Sequence, residues 1–136
     1  MGGWAPALAG LMGAALGSFG NVVVSRIPRG ESLAWPGSRC PRCRRPIRFR
    51  HNIPILSYVQ LRGRCADCRW KIPFRYPAVE LLAALAACLV FVYFPAGIAF
   101  WSFVLLYGLI LLVALDLEKY LLPDGLTLSL LAMGLL

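Results

Sequence analysis

Two Cys-x-x-Cys pairs stand in a stretch crowded with arginine: Cys40-Pro41-Arg42-Cys43 and Cys65-Ala66-Asp67-Cys68. A pair at this spacing presents two sulfurs from one tight turn, and two such turns supply the four ligands of a tetrahedral zinc ion. The 21 residues between the pairs exceed the usual separation slightly but suit a zinc ribbon. Basic residues at 39, 42, 44, 45, 62, 64, 69 and 71 surround the thiols. They favour the thiolate forms and offset the negative charge of a four-sulfur centre. Four protein ligands leave no position open for a substrate, so the expected zinc site is structural. A redox dithiol pair is the rival reading of the same residues. Cys88, alone in an apolar run, reads as a small helix- or lipid-facing side chain.

The second group that could do chemistry is carboxylic. Asp116 ends a long uncharged run, which puts it at or just inside a membrane boundary. Ionisable groups at that depth are functional candidates, and partial desolvation raises a carboxyl pKa towards the range useful in acid/base work. An ordinary interfacial cap explains the same position. Asp124 follows Pro123 and opens a helical run, so it reads as an N-cap. Glu80 is either a first-turn acid favoured by the helix dipole or a group facing a polar cavity. His51, the sole histidine, reads as a surface residue in so basic a loop.

The elements that must position these groups follow from where the apolar residues lie. The chain has 136 residues, of which 60% are hydrophobic and 15% charged. That composition excludes disorder. Residues 4–24, 78–115 and 125–136 form long apolar runs, the layout of a multi-pass membrane protein with one aqueous loop. The first run matches the ~20 residues of one span, and no basic residue precedes it as in a signal peptide. Gly13 and Gly17 make a GxxxG pair that admits a close helix neighbour. Residues 81–115 would form a single helix of about 50 Å, too long for a ~30 Å hydrocarbon core. Pro95-Ala96-Gly97 breaks the run into spans near 78–94 and 98–115. The stretch from 126 to 136 covers about half a bilayer, so the sequence reads as an N-terminal part that stops within a fourth span. No internal repeat is evident.

The net charge is +8, and thirteen of the fourteen Lys/Arg lie between Arg26 and Arg75. The positive-inside rule places that block in the cytoplasm and the N-terminus outside. A nucleic-acid-binding patch is the alternative for a basic block, and the flanking spans argue against it. In a reducing compartment disulfides are not the default for the cysteines.

Several stretches together resemble one family. They are Gly17-Ser18-Phe19-Gly20-Asn21-Val22-Val23, Arg26-Ile27-Pro28, Cys40-Pro41-Arg42-Cys43, Asn52-Ile53-Pro54-Ile55-Leu56-Ser57-Tyr58, Leu61-Arg62-Gly63-Arg64-Cys65, Arg75-Tyr76-Pro77-Ala78-Val79-Glu80 and Asp116 through Thr127. In this order they resemble the type IV prepilin peptidases, membrane aspartic peptidases that process type IV pilins and type II secretion pseudopilins. The resemblance implies cleavage of a basic leader at the cytoplasmic membrane face and, in many members, methylation of the new N-terminus from S-adenosylmethionine. It implies zinc on the cysteine loop and makes Asp116 the first of two catalytic aspartates. The second belongs to a Gly-x-Gly-Asp motif that this sequence does not contain. A catalytic pair needs two carboxylates sharing a proton, one as base and one as acid.

The expected fold is an all-α multi-pass membrane protein with three full spans, a partial fourth and a small zinc-ribbon-like loop. Residues 1–24 are the first span, 25–77 the Cys40/Cys43/Cys65/Cys68 zinc domain, and 78–136 the later spans with Asp116. The expected function is a prepilin peptidase of the bacterial inner membrane, with prepilins, pseudopilins and the bilayer as partners, no nucleic acid, and a missing C-terminal half. A non-catalytic, membrane-anchored zinc module that only binds partners is the alternative. A shortened catalytic pair of Asp116 and Asp124 is a third reading. No S-adenosylmethionine site is evident, and neither the pilin substrate nor the oligomeric state is legible.

Overall fold

The computed structural model describes residues 4–119 and 124–134. Five α-helices follow in order: α1 (Ala5–Arg26), α2 (Leu56–Gln60), α3 (Arg75–Tyr93), α4 (Ala96–Lys119) and α5 (Asp124–Gly134). Among the described residues there is no β-strand, only the isolated antiparallel bridges Arg39–Pro46 and Arg64–Lys71. Three stretches are long and apolar enough to cross a membrane: Ala5–Arg29, Arg75–Tyr93 and Ala96–Glu118. The expected all-helical, three-span architecture with a cysteine loop is the one observed.

Local chemistry sets the boundaries. Pro6 sits in the first turn of α1, where its missing N–H costs nothing. A short 3-10 turn, Ile27–Arg29, extends α1 and stops at Gly30, whose φ of 65° closes the helix in the left-handed region. Phe94 takes extended dihedrals (φ −121°, ψ 149°), as a residue before proline must. That break, at Phe94-Pro95, turns α3 back into α4. The second hairpin helix differs from its expected end at 115. Asp116-Leu117-Glu118-Lys119 contains no breaker, so α4 continues through it to Lys119.

The helices pack through small residues. A Cβ added to Gly13 would lie 2.5 Å from Ala83 O and 2.7 Å from Ala87 Cβ, and one on Gly17 would lie 2.6 Å from Glu80 Cα. The GxxxG pair therefore serves the close approach of α1 to α3. Gly20 opens the same helix to α4, where an added Cβ would meet Leu111 at 2.6 Å. Tyr107 on α4 donates its hydroxyl to Leu16 O at 2.6 Å. One buried cluster joins Val23, Val24, Val79, Leu111, Ala114 and Leu115, and a second joins Ala87, Val90, Ala99 and Phe103. Cys88 lies on α3 against Gly10 of α1, the helix-facing place expected of a small residue.

Candidate functional site

The loop between α1 and α3 brings all four predicted sulfurs together. The Sγ atoms of Cys40, Cys43, Cys65 and Cys68 lie within 4.8 Å of one another, and Cys40 Sγ to Cys68 Sγ is 3.8 Å. A tetrahedral ion with ~2.3 Å metal–sulfur bonds separates its sulfurs by about 3.8 Å. The donor set and its spacing fit a four-coordinate metal ion with soft ligands.

The two halves of this site have the same backbone, a repeat the sequence reading missed. Cys40 N–H donates to Arg45 O at 3.1 Å and Arg44 N–H to Cys40 O at 2.9 Å. Cys65 N–H donates to Trp70 O at 2.8 Å and Arg69 N–H to Cys65 O at 3.1 Å. Arg44 and Arg69 both adopt left-handed dihedrals, with φ of 57° and 58°. Ile47 N–H closes the first turn on Ser38 O, and Ile72 N–H closes the second on Gly63 O. Every equivalent pair is 25 positions apart, and the shared pattern is Arg-Cys-x-x-Cys-Arg-x-x-Ile-x-Phe-Arg. The signal was in the sequence, in the residues around the cysteines rather than in the cysteines.

The two turns ionise differently. Burial pushes the Cys40 thiol up to about 11. The backbone N–H of Cys68 draws Cys65 down to about 7. Arg45 of one turn pairs with Asp67 of the other at 3.4 Å. The loop's entry is fixed by Arg26, whose guanidinium donates to Ser32 O at 2.8 Å and Pro36 O at 2.6 Å.

Glu80 settles into neither of its two expected roles. It is buried on α3, and its Oε2 accepts the Ile55 N–H at 2.7 Å. Ile55 has a φ of 60°, a costly conformation for a β-branched residue, and it stands at the start of α2. Nearby Ser57, also buried, accepts the Ile53 N–H at 2.8 Å and donates to Arg50 O at 3.2 Å. Asn21 of α1 donates to Tyr76 O at 3.0 Å. Glu80 is thus the anchor by which α3 holds the loop's apex. Sequence alone gave no partner for it, because that partner is a backbone N–H.

Asp116 lies in the last turns of α4 with its side chain exposed. Two residues on, Glu118 pairs with Arg75 at the start of α3. That contact brings the end of α4 beside the point where the cysteine loop rejoins the helices. α5 runs from Asp124 to Gly134. The Asp124 side chain and the joining residues lie outside the described set, and with them any pairing of Asp116 with Asp124. His51 is half-buried in a short 3-10 turn.

Among the described residues, then, the chain is helical, with three helices long and apolar enough to cross a membrane and, between the first two, a loop whose four cysteines could hold a metal ion. The chain belongs to the bacterial peptidase A24 N-terminal domain family, whose model matches residues 11–94. It is 43% identical, over 150 aligned positions, to the type 4 prepilin-like proteins leader peptide-processing enzyme of Escherichia coli O78:H11. That match covers 96% of this chain and 56% of the enzyme. The prepilin leader peptidase/N-methyltransferase of Klebsiella pneumoniae is 43% identical over 133 positions, covering 93% of this chain and 58% of the enzyme. The one from Neisseria gonorrhoeae is 38% identical over 159 positions, covering 95% and 54%. The chain spans about half the length of the curated relatives it matches. No solved structure matches it.

Proposed function

We propose that this chain is the N-terminal part of a membrane-embedded aspartic peptidase that removes the leader from type IV prepilins or pseudopilins. The observation that carries the reading is the contact between Arg75 and Glu118. It sets the last turns of α4, with Asp116, at the end of the bundle from which the cysteine loop emerges. Asp116 acts as one carboxylate of a pair. One member of the pair activates water, and the other protonates the scissile carbonyl oxygen. The second aspartate is the one that the resemblance assigns to Gly-x-Gly-Asp.

In this reading Cys40, Cys43, Cys65 and Cys68 hold a structural zinc that folds the loop. Residues 1–24 are the first span, 25–77 the zinc domain and 78–136 the remaining spans. The loop and Asp116 face the cytoplasm of a bacterium and the enzyme sits in its inner membrane, an orientation supported by the thirteen basic residues between Arg26 and Arg75. Methylation of the new N-terminus from S-adenosylmethionine belongs to the same reading and rests on the relatives' printed names.

The test joins this segment to a downstream half carrying Gly-x-Gly-Asp. There Asp116→Asn should stop prepilin cleavage while zinc content and membrane insertion stay unchanged. Asp124→Asn should retain substantial cleavage, since asparagine caps a helix start about as well as aspartate. Full cleavage by the Asp116→Asn protein would overturn the assignment, and with Asp124→Asn inactive it would move the first carboxylate to Asp124.

A further inference from the structure

The cysteine loop is entered from α1 and left through α3, so both ends are tied to apolar helices. Its apex does not project beyond them. Ile55 N–H donates to Glu80, and Glu80 Cα would be 2.6 Å from a Cβ on Gly17. Glu80 is about 7 Å along α3 from Arg75, and Gly17 about 13 Å along α1 from Arg26. The chain at 53–55 is therefore folded back beside the flanks of two membrane-crossing helices.

The exposed residues of this folded-back segment include large apolar side chains. Phe49 is 90% exposed, Val59 67% and Leu56 50%. Scattered exposed apolar residues need no explanation, but a run of them beside lipid-facing helices does. Phe19 of α1, itself exposed, lines a groove of about 420 Å³ shared with Phe49 and Ile53. Arg48, Arg50 and Arg62 are exposed around the apolar residues, and no acid occurs between Glu31 and Asp67. The backbone is also provided for. Ser57 takes the Ile53 N–H and donates to Arg50 O, Glu80 takes the Ile55 N–H, and Val59 N–H donates to Ile55 O at 3.1 Å. A segment whose polar backbone is satisfied by protein can leave bulk water at little cost.

We propose that the segment from Phe49 to Val59 is seated in the interfacial layer of the bilayer. Phe49, Leu56 and Val59 reach the upper acyl chains, and Arg48, Arg50 and Arg62 lie on the phosphates of anionic phospholipids. Apolar burial at the headgroup boundary combined with basic residues on anionic lipid is the energetics of an interfacial anchor. The metal centre is then held against the membrane surface rather than hanging in water. The inference depends on α1, α3 and α4 crossing the membrane and not on the peptidase reading.

The test places the photocrosslinking amino acid p-benzoylphenylalanine at Val59, at Arg44 in the first cysteine turn, or at Leu85 on the exposed face of α3. The 136-residue chain is reconstituted in nanodiscs of phosphatidylcholine, with or without phosphatidylglycerol. Val59 should give lipid adducts comparable to Leu85 and several-fold above Arg44, enriched in phosphatidylglycerol. Arg48→Gln should reduce that enrichment by about fivefold, the weight of one basic residue at an anionic surface. Val59 adducts no more frequent than those at Arg44, or adducts to a second protein copy instead of lipid, would overturn the proposal. Lipid adducts missing at Leu85 as well would overturn the spanning helices beneath it.

Discussion

Cys40 and Cys65 occupy equivalent places in the two cysteine turns, yet their thiols lie at about 11 and about 7. The difference is environmental: Cys40 is buried, whereas Cys65 is only partly so and receives the N–H of Cys68. Without metal at neutral pH, Cys40 keeps its proton and Cys65 is in the middle of its titration. A metal must displace the remaining protons, so zinc uptake should release acid, and apparent affinity should fall as pH is lowered through the neutral range, more steeply below about 7 where Cys65 also takes up a proton. Both are measurable by adding zinc to stripped protein in weak buffer at stepped pH. Uptake without proton release would contradict ligation by Cys40. Elemental analysis should find close to one zinc per chain, and Cys65→Ser should lose most of it; a fully loaded Cys65→Ser protein would refute the ligand set. Glu80 is a different kind of residue, one whose carboxylate accepts from the Ile55 N–H and from the Ser18 side chain. Glu80→Leu leaves the Ile55 N–H unsatisfied, a loss of about 1–3 kcal/mol. The expected result is faster trypsin cleavage at Arg50 and Arg62 with zinc retained, and unchanged cleavage would show that the loop does not depend on this anchor.

At the level of elements, what could be read in advance depended on whether the partner was a pattern or a position. The Gly13/Gly17 pair was legible, because close helix packing needs small residues at that spacing whatever lies opposite. The break at Pro95 was legible because proline restricts Phe94 regardless of context. The span expected to end near 115 marks where charge begins rather than where the helix ends, and α4 runs on through Asp116-Leu117-Glu118-Lys119, which contains no helix breaker. The duplication of the cysteine turns is hidden because the cysteines explain themselves as ligands and Arg44/Arg69 as charge beside the thiols, which leaves Ile47/Ile72 and Phe49/Phe74 without a role in the sequence reading. The glycine face gives a direct test. Gly17→Leu sets a large side chain where even a Cβ would be 2.6 Å from Glu80 Cα. Overpacking of this kind costs about 1–3 kcal/mol. It should lower the midpoint of thermal unfolding in detergent, while Gly97→Ala, with no neighbour within 4 Å of an added Cβ, should not. Equal midpoints for the two variants would mean that α1 and α3 are not in close contact.

For the whole molecule, the decisive quantity is where the charge sits rather than how much there is. Of the thirteen basic residues from Arg26 to Arg75, eleven fall on the connection between α1 and α3 and the other two end α1 and begin α3, while the α3–α4 turn at Phe94-Pro95 carries none. Translocating that loop would move many cations across the bilayer, whereas translocating the turn moves none, so the proposed orientation keeps the loop in the cytoplasm. The same orientation puts the Arg75–Glu118 pair and Asp116 on the cytoplasmic side, because α4 returns antiparallel to α3. A cysteine added at either of two exposed positions, with labelling read against the parent chain and its five native cysteines, tests it on intact cells with a membrane-impermeant maleimide. Gly97→Cys, in the first turn of α4 after the short α3–α4 connection, should label directly. Glu31→Cys, just beyond α1, should label only after permeabilisation. The reverse pattern would turn the molecule over, moving Asp116 to the outer face and removing the basis for leader cleavage in the cytoplasm. Labelling of both sites without permeabilisation would mean that α3 does not cross the membrane, and the three-span reading would fall with it.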